Sequence, residues 1–564
     1  VPLSSHQYIM GLFGRKKKPK TSLDWIRYYA LESYRSAQGT LSSACEKSVS
    51  LAVKSTQAAK QSVGYVASVT VASGKAATRS ISSAMDAAGI TGFHILVVIL
   101  LAVVVVALKR KLEARRKQRH LEAYGEFEFP PIAPFSTRKT GRELAGSKLP
   151  LFFQECASRV GSIFQLRVPL WGGPMVIAVG EVDLAKEILK DATTKKPEKM
   201  YSSLASLVHH RPNILTSEGK PWKHSRKGMS PAFATAHLDR MHKACRDKTE
   251  EWIKKRLDPM IRGKEDIDIA HEFLFLTTSI ICKTAFEYRI KSREAEQVIE
   301  DLEVATTEFM HNQAKYPMRA SLLASIIPSV RRAKQARRRL FQFATKMLLH
   351  YRKKPDEMRS QAKTIIGCIE NSNKYASDAD RVADMVMILF AGHGTTAHSL
   401  AWIFFELARN QKEATRLREA LSGKDDTRAQ QLLKDVLREG MRLRPVYATV
   451  AVRTLGRDWH VKGKNMVLPK GACIIFPSSL LTRDGVEKAE EFEPMRWKLH
   501  PDKTFLSFSS GAHNCAGKSL ALAEITWVLS RLCARYQFEV VDEGTPEYCV
   551  FWKCKGALLR CQKA

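Results

Sequence analysis

Residues Phe508–Glu524 read FSSGAHNCAGKSLALAE and carry the strongest signal in the chain. Gly511 and Gly517 bracket Cys515, and an apolar pattern at helical spacing begins directly after them. A cysteine at the start of a helix has its thiolate favoured by free backbone N–H groups and by the helix dipole. The glycines would let the backbone approach a large, flat group. Taken alone, the stretch fits a buried structural cysteine equally well.

Two further segments place charged and aromatic residues at helical spacing. Glu439 and Arg442, in EGMR, lie three apart on a helix, so they share a face and can form an ion pair. Arg496, in FEPMRW, could join them as a third member. Trp222 and Arg226, in PWKHSRK, lie four apart on one helical face. An isolated E-x-x-R pair carries almost no information, so these segments matter only in combination.

A third segment puts polar groups inside an apolar helix. Ala391–Thr396 reads AGHGTT, with MVMILF before it and LAWIFF after it. Buried polar groups cost free energy unless they have partners. Two hydroxyls in the middle of such a helix therefore indicate a functional site.

The body that contains these segments is predicted to be mainly α-helical with a small β part. It opens with strand-like alternation at Ile163–Val168 and Met175–Gly180. Helical periodicity then dominates from Val182 to about residue 445. A shorter mixed region of strands and loops follows, and one helix begins after Gly517.

The four motifs are the segment with Trp222 and Arg226, the AGHGTT stretch, the E-x-x-R helix and the cysteine loop. In this order along the chain they resemble the motifs of cytochrome P450, and the resemblance runs from Leu149 to the C-terminus. The cysteine loop matches the pattern F-x-x-G-x-x-x-C-x-G completely, Arg444–Pro445 follows the E-x-x-R helix, and Pro494–Trp497 supplies P-x-R-W. The resemblance implies the cytochrome P450 fold. It also implies a haem b cofactor whose electrons come from NADPH through a redox partner.

The resemblance further implies roles for the residues of the cysteine loop. Cys515 would be the axial thiolate ligand of the haem iron, the ligand that favours O–O cleavage. Phe508 would pack beside the sulfur and shield it. Gly511 and Gly517 would shape the loop around the cofactor.

The haem propionates need cations, and the chain offers several at matching positions. The residues implied in propionate binding are Trp222, Arg226, Arg453 and His513. Glu439, Arg442 and Arg496 would form a structural triad behind the haem, without a catalytic role.

One position departs from the family pattern. The oxygen-activating helix usually reads A-G-x-[Asp/Glu]-T, and here Gly394 stands at the acidic position while Thr395 is retained. Thr395 and Gly394 are thus the implied catalytic positions, with Thr395 assisting oxygen activation. The usual proton-relay partner is missing, which leaves water or His393 as substitutes. An aspartate at position 394 would be expected to restore the relay.

The first 148 residues differ in composition from the rest. The leader is basic and of low complexity, and both an amphipathic interfacial helix and a disordered segment fit it. Gly92–Leu108 reads GFHILVVILLAVVVVAL, without a charged residue, and basic residues follow from Lys109 to Arg119. These features predict a single transmembrane helix with the body on the cytosolic side. The predicted segments are a basic leader at 1–91, a transmembrane helix at 92–108, a basic and proline-rich linker at 109–148 and a catalytic domain at 149–564.

The composition excludes several classes of protein. The chain has 564 residues, 45% hydrophobic and 26% charged, which is the balance of a protein with a full core. Its 91 basic and 57 acidic residues give a formal charge of +34, which suits anionic lipid or an acidic redox partner. No nucleic-acid-binding motif appears, so no nucleic acid partner is expected. Eleven cysteines without a C-x-x-C pair indicate reduced thiols, not a zinc site.

Three functions are compatible with these observations. The leading hypothesis is a membrane-anchored haem-thiolate monooxygenase that inserts one oxygen atom from O2 into a small apolar substrate. Its electrons would come from an NADPH-dependent P450 reductase, and it would lie in the endoplasmic reticulum with its catalytic domain in the cytosol. The alternative is a P450-like isomerase or lyase acting on a hydroperoxide or endoperoxide without a reductase, which Gly394 favours and Thr395 disfavours. The third is a catalytically silent membrane-surface interaction protein, against which the intact cysteine motif argues.

The resemblance also indicates which stretches would face the substrate. They are Tyr201–Leu215, Pro317–Val330 and Val446–Val452, and they are apolar with few fixed charges. Sterols, fatty acids and xenobiotics suit them alike, so the sequence predicts an apolar substrate and no particular one.

Overall fold

Helices form most of the structure, as the apolar periodicity predicts. The computed structural model describes residues 127–168, 175–233, 235–315, 327–360, 364–423, 425–500 and 505–564. All of them belong to one structural unit that begins at Leu121. The α-helices of the described residues are α1 Thr137–Leu144, α2 Leu149–Val160, α3 Val182–Lys190, α4 Glu198–Ala205, α5 Gly219–Met229, α6 Thr235–Trp252, α7 Asp258–Arg262, α8 Ile269–Phe286, α9 Ser292–Lys315, α10 Pro328–Arg352, α11 Asp356–Ser360, α12 Ile365–Glu370, α13 Asp378–Arg409, α14 Gln411–Ser422, α15 Asp426–Leu443, α16 Ser478–Leu481, α17 Arg496–Leu499 and α18 Lys518–Arg535.

The strands form one four-stranded sheet and three two-stranded pairs. They are β1 Ile163–Leu166, β2 Val176–Val179, β3 Thr449–Thr454, β4 Trp459–His460, β5 Val467–Leu468, β6 Cys473–Pro477, β7 Tyr536–Asp542, β8 Thr545–Tyr548, β9 Trp552–Lys555 and β10 Leu558–Lys563. The large sheet has the order β1-β2-β6-β3, with β2 and β6 parallel and the outer pairs antiparallel. The pairs are β4 with β5, β7 with β10, and the hairpin of β8 with β9.

Helix α13 is the central element of the core. The side chain of Ser377 caps its N-terminus by accepting a hydrogen bond from the N–H of Asp380, and two aspartates in the first turn complement the helix dipole. Nearly every residue from Val382 to Ala408 is buried, with α8, α10, α15 and α18 packed around the helix. Because α13 is buried on all sides, it is apolar all round, and its few polar residues need partners inside the protein.

One helix of the described residues, α8, is long and apolar enough to cross a membrane. It is a core helix, because 83% of that stretch is buried inside the protein, where α8 packs against α13. The predicted transmembrane helix at 92–108 and the leader at 1–91 lie outside the described residues.

The predicted fold class, mainly α with a small β region, is confirmed. The alternating stretches at 163–168 and 175–180 contain β1 and β2, and the helix after Gly517 is α18. The four C-terminal strands do not follow from the sequence pattern. They have only four to seven residues each, and their alternation is too short to recognise.

The proline-rich stretch Phe129–Phe135 is part of the body rather than of a free linker. The N–H of Ala133 donates to the carbonyl of Gln165 in β1 at 2.9 Å. Phe135 is buried, and its ring centroid lies 5.4 Å from that of Phe152 in α2. We therefore place the start of the folded body before this stretch.

Candidate active site

The loop that carries Cys515 is held by its own backbone. The N–H of Cys515 donates to the carbonyl of Phe508 at 3.0 Å, and Gly517 is the N-cap of α18. Gly511 has a φ of +72°, and a Cβ there would lie 2.1 Å from the carbonyl oxygen of Leu189. Only glycine fits at that position. The loop therefore presents Cys515 just before the N-terminus of α18.

The Cys515 side chain is exposed, although most of the other described cysteines are buried. Burial by the surrounding protein nevertheless raises the pKa of its thiol, while a backbone hydrogen bond from Gly517 and the charges of Arg226 and Lys518 act in the opposite direction. The thiol is thus exposed but has protein and two cations close to it. Phe508 is half-buried beside it, with the Lys518 ammonium 5.9 Å from its ring centroid. Cations and a helix N-terminus are the surroundings that favour a thiolate.

Helix α5 is tied to the cysteine loop by two side chains. Arg226 donates from Nη2 to Oδ1 of Asn514 at 2.7 Å and from Nη1 to the Asn514 carbonyl at 3.2 Å. The buried ring of Trp222 has its centroid 3.8 Å from that of His513. Nε2 of His513 lies 3.3 Å from Oε1 of Glu218, whereas its buried Nδ1 has no hydrogen-bond partner among the described residues. The sequence-predicted residues Trp222, Arg226 and His513 are thus brought together.

Two more basic side chains, Arg453 and Lys196, lie near Arg226 and His513. Arg453 is only 2% exposed, and its Nη1 lies 3.4 Å from the hydroxyl of Tyr201. Lys196 donates from Nζ to two backbone carbonyls of the loop 215–217 at 2.8 and 2.9 Å. Burial, and then repulsion from Arg453 and Arg226, lowers the pKa of Lys196 to about 7. Lys196 does not follow from the sequence, because no motif or periodicity marks it. We call Lys196, Arg226 and Arg453, together with the imidazole of His513, the cationic cluster. Burial, and then the charge of Lys196, lowers the pKa of His513 to about 4, so this member is neutral near pH 7.

The cationic cluster and the cysteine loop fit a haem. Arg226 and Arg453 carry two positive charges beside the single carboxylate of Glu218, and both repel the charged form of Lys196, whose pKa burial lowers first. The cluster is therefore complementary to a molecule with two carboxylates. The unpartnered Nδ1 of His513 adds a free hydrogen-bonding atom. A Cβ at Gly517 would meet no protein atom within 4 Å, so a flat group can approach the backbone there. A cysteine thiolate is one of the ligands that proteins provide for haem iron, and partly buried cations suit its two propionates.

The predicted triad of Glu439, Arg442 and Arg496 is formed. Nε and Nη2 of Arg442 both donate to the Glu439 carboxylate at 2.9 Å, and Nε of Arg496 donates to its Oε1 at 2.9 Å. The N–H of Glu493 donates to the same oxygen at 2.9 Å. Both arginines also donate to backbone carbonyls of the loop 487–491. Because Glu439 and Arg442 are completely buried, the triad is a structural tie between α15 and this loop.

The predicted catalytic positions lie in the middle of α13. Thr395 donates from Oγ1 to the carbonyl of Ala391 at 2.8 Å. A Cβ at Gly394 would lie 2.4 Å from Cε2 of Phe551, so the aromatic ring covers the place where an acidic side chain would begin. Nδ1 of His393 lies 3.1 Å from a backbone carbonyl one turn earlier. Burial lowers the pKa of His393 to about 4, so this side chain is neutral near pH 7.

Phe551 does not follow from the sequence. It lies between β8 and β9, and its ring centroid is 5.7 Å from that of Phe390 on α13 and 5.5 Å from that of Tyr447. Burial, and then the neighbouring Cys515, raises the pKa of Tyr447, so Tyr447 lies within electrostatic reach of the cysteine. Phe551 therefore connects α13 with a stretch that was expected to face the substrate. No local pattern marks it, because its position depends on the hairpin folding back onto α13.

The site residues predicted from the sequence therefore fall into two groups. One group surrounds the cysteine loop and comprises Trp222, Arg226, Arg453, Phe508, Gly511, His513, Cys515 and Gly517. The other consists of Thr395 and Gly394 on α13. Tyr447 and Phe551 connect the two groups.

Comparisons with known proteins agree with this geometry. The sequence model of the family "Cytochrome P450" matches residues 133–562. The chain is 24% identical over 433 residues to cyclooctatin synthase from Streptomyces melanosporofaciens, which covers 73% of this chain and 90% of that protein. It is 25% identical over 415 residues to leukotriene-B4 omega-hydroxylase 3 from Mus musculus, covering 67% of this chain and 78% of the other. It is also 24% identical over 429 residues to cytochrome P450 3A15 from Cavia porcellus, covering 68% and 80%.

The family match spans both groups of site residues and the triad. It extends over most of the chain, from the proline-rich stretch to the last strand. The chain therefore belongs to the cytochrome P450 family of oxidoreductases.

Proposed function

We propose that the protein is a haem-thiolate monooxygenase in which Cys515 is the axial ligand of the iron of haem b. The observation that carries the proposal is the position of the exposed Cys515, just before α18 and beside the cationic cluster. Membership of the family supports the reaction class in general. A haem held there supplies the activation of O2 and the transfer of one oxygen atom to a C–H bond.

The cationic cluster and Trp222 would hold the two propionates. Carboxylates placed among these cations would relieve the repulsion that lowers the pKa of Lys196. Arg226 would also keep the cysteine loop in place, since it already donates to Asn514 at 2.7 Å. Phe508 would keep water from the sulfur.

Thr395 would take part in proton delivery on the substrate side of the site. Its hydroxyl donates to a carbonyl of its own helix, so its lone pairs are free to accept a hydrogen bond from water. Gly394 offers no carboxylate, and Nδ1 of His393 is engaged by the helix backbone. Proton transfer to Thr395 would therefore run through water.

We extend the proposal to an apolar substrate, an NADPH-dependent P450 reductase as electron donor, and a membrane anchor. One relative is named as a hydroxylase of leukotriene B4, which supports an apolar substrate. Gly92–Leu108 would anchor the chain in the endoplasmic reticulum, with the basic residues from Lys109 to Arg119 and the body on the cytosolic side.

The carbon monoxide spectrum of the reduced protein tests the ligand assignment. We expect the red-shifted Soret band of a haem-thiolate protein in the wild type and its loss in Cys515→Ala. Cys533→Ala is the matched control, because Cys533 lies in the same helix region but is buried away from the loop. If the band persists in folded Cys515→Ala protein, the assignment is wrong.

A second candidate function is the isomerisation or cleavage of a hydroperoxide or endoperoxide without a reductase. The sequence feature that favours it is Gly394, because position 394 offers no proton-relay acid; the contact of Phe551 with that position weakens the argument, since packing there excludes any larger side chain. Turnover with and without reductase and NADPH separates the two functions. If Thr395→Ala leaves turnover and coupling unchanged in haem-loaded protein, Thr395 has no oxygen-activating role and the second function becomes the better proposal.

A further inference from the structure

Asp384 is a completely buried carboxylate near the N-terminal end of α13. No sequence motif marks it, and the reaction does not use it. A carboxylate without water around it needs hydrogen-bond donors from the protein. Burial raises the pKa of Asp384 to about 6, and such donors act in the opposite direction. The group is therefore ionised near pH 7 and can accept several hydrogen bonds.

The donors to Asp384 come from different parts of the chain. The backbone N–H of Ile214 donates to Oδ1 at 2.6 Å. The hydroxyl of Ser225 in α5 donates to Oδ2 at 3.0 Å, and the hydroxyl of Tyr375, just before α13, donates to the same oxygen at 2.7 Å. Hydrogen bonds to an ionised acceptor are stronger than those between neutral groups. One carboxylate thus links α13 to α5 and to the loop 211–217.

The bond to Ser225 supports α5 next to Arg226. Arg226 donates to Oδ1 of Asn514 at 2.7 Å and to the Asn514 carbonyl at 3.2 Å, and Asn514 directly precedes Cys515. Neighbouring residues of a helix move together, because backbone hydrogen bonds fix the helix turn. A displacement of α5 at Ser225 would therefore displace Arg226 from the cysteine loop.

The bond to Ile214 supports the loop that holds Lys196. The carbonyls of Leu215 and Ser217 accept hydrogen bonds from Nζ of Lys196 at 2.8 and 2.9 Å. The completely buried Asn213 braces this loop, since its Oδ1 accepts from the N–H of Leu215 at 3.0 Å and its own N–H donates to Oγ of Ser217 at 2.9 Å. Fixing the braced loop at Ile214 thus fixes the two carbonyls that hold Lys196.

We propose that Asp384 is a positioning residue for haem binding, whose two carboxylate oxygens separately support the parts of the chain that place Arg226 and Lys196 for the propionates. The inference rests on the proposed function, because it assumes that a haem occupies the site. Asp384 acts through α5 and the loop 211–217 and not by contact with the cofactor.

Removal of one hydroxyl donor at a time tests the proposal on the full-length, haem-loaded protein. Ser225 and Tyr375 donate to the same oxygen of Asp384, but only Ser225 belongs to α5. Transfer of ferric haem to excess apomyoglobin, followed by absorbance, gives the rate of haem dissociation without any turnover. We expect Ser225→Ala to lose haem about threefold to tenfold faster than the wild type, which is the range for one net hydrogen bond.

Tyr375→Phe is the matched control and should leave the rate of haem dissociation within about twofold of the wild type, because the links to α5 and to Ile214 remain. Both variants lose one hydrogen bond to the same acceptor, so urea unfolding should show a similar loss of stability in each. Ser225→Thr keeps the hydroxyl and should restore the wild-type rate. Asp384→Ala removes both links and should lose haem faster than Ser225→Ala; if it does not fold, the hydroxyl variants still decide the question.

An unchanged rate in Ser225→Ala would overturn the positioning role. Equal acceleration in Ser225→Ala and Tyr375→Phe would overturn it as well, because Asp384 would then only stabilise the fold. The carbon monoxide spectrum of the wild type keeps the two proposals apart. If the haem-thiolate band is present but Ser225→Ala retains haem like the wild type, the positioning role fails while the proposed function stands; if the band is absent, the proposed function fails.

Discussion

The contact between Gly394 and Phe551 allows a prediction in which the structure reverses the ordinary expectation. A glycine in the middle of a helix normally makes it less stable than alanine does, by about 1 kcal/mol. Gly394→Ala should therefore stabilise α13 if the helix alone mattered. A Cβ at this position, however, would lie 2.4, 2.9 and 3.0 Å from Cε2, Cζ and Cδ2 of the Phe551 ring. We expect Gly394→Ala to destabilise the protein.

The magnitude follows from the two opposing terms. Overpacking of a filled core by one methyl group costs about 1–3 kcal/mol, because the ring must move or leave its rotamer. The higher helix propensity of alanine returns about 1 kcal/mol, so the net loss of unfolding free energy is about 0–2 kcal/mol. Once Phe551→Leu has removed the ring, the same substitution should stabilise by the helix term alone. The coupling between the two positions is then about 1–3 kcal/mol.

The assay is the midpoint temperature at which the haem-thiolate band is lost, measured for the wild type, both single variants and the double variant at equal haem content. Gly228→Ala in α5 is the control, since a Cβ there meets nothing closer than Oγ of Ser372 at 3.8 Å, and it should not lower the midpoint. A Gly394→Ala variant that is more stable than the wild type, with the same effect in the Phe551→Leu background, would refute the packing argument.

Three further predictions follow from buried charges and from the N-terminal sequence. Glu439→Ala should lower the free energy of unfolding by about 3–5 kcal/mol and prevent haem retention, because it leaves two arginines without their buried carboxylate. Removal of Glu491 from its exposed pair with Lys488 is the control. A stable, haem-loaded Glu439→Ala protein would contradict the structural role. His393 and His398 have pKa values lowered to about 4 and about 3, below the unfolded value near 6.5, so stability should fall as the pH drops below 6.5, by about 2 kcal/mol per histidine at pH 5. Denaturation at pH 7 and pH 5 checks this, and an unchanged acid slope in His398→Leu would count against it. Removal of residues 1–120 should release much of the body from membranes that retain the full chain in alkaline carbonate, and protease added to intact microsomes should digest the body; complete protection would mean the opposite topology.

The fold class could be predicted because it rests on local patterns. The long apolar run of α13, the apolar periodicity of α18 and the alternation in β1 and β2 are visible in single stretches of sequence. The C-terminal strands could not be predicted in this way. β8 and β9 have four residues each, and their pairing depends on packing against α13 rather than on their own composition.

The same division applies to the active site. Cys515, Gly511 and the triad of Glu439, Arg442 and Arg496 belong to motifs whose spacing is fixed by a loop or a helix, so the sequence marks them. Lys196 carries no such mark, because only the folded chain brings it near Arg453 and lowers its pKa to about 7.

Phe551 shows how a distant residue can change the meaning of a local motif. Taken from the sequence, Gly394 is a missing acid and speaks for a reaction that needs no proton relay. In the structure, the ring of Phe551 occupies the place where the first carbon of that acid would lie. Glycine at 394 is then required by packing, whichever reaction the enzyme performs, so the missing acid no longer distinguishes the two functions. The polar side chain that remains next to position 394 is Thr395, whose lone pairs are free to accept a hydrogen bond from water. A retained threonine that can bind water in this way favours the monooxygenase.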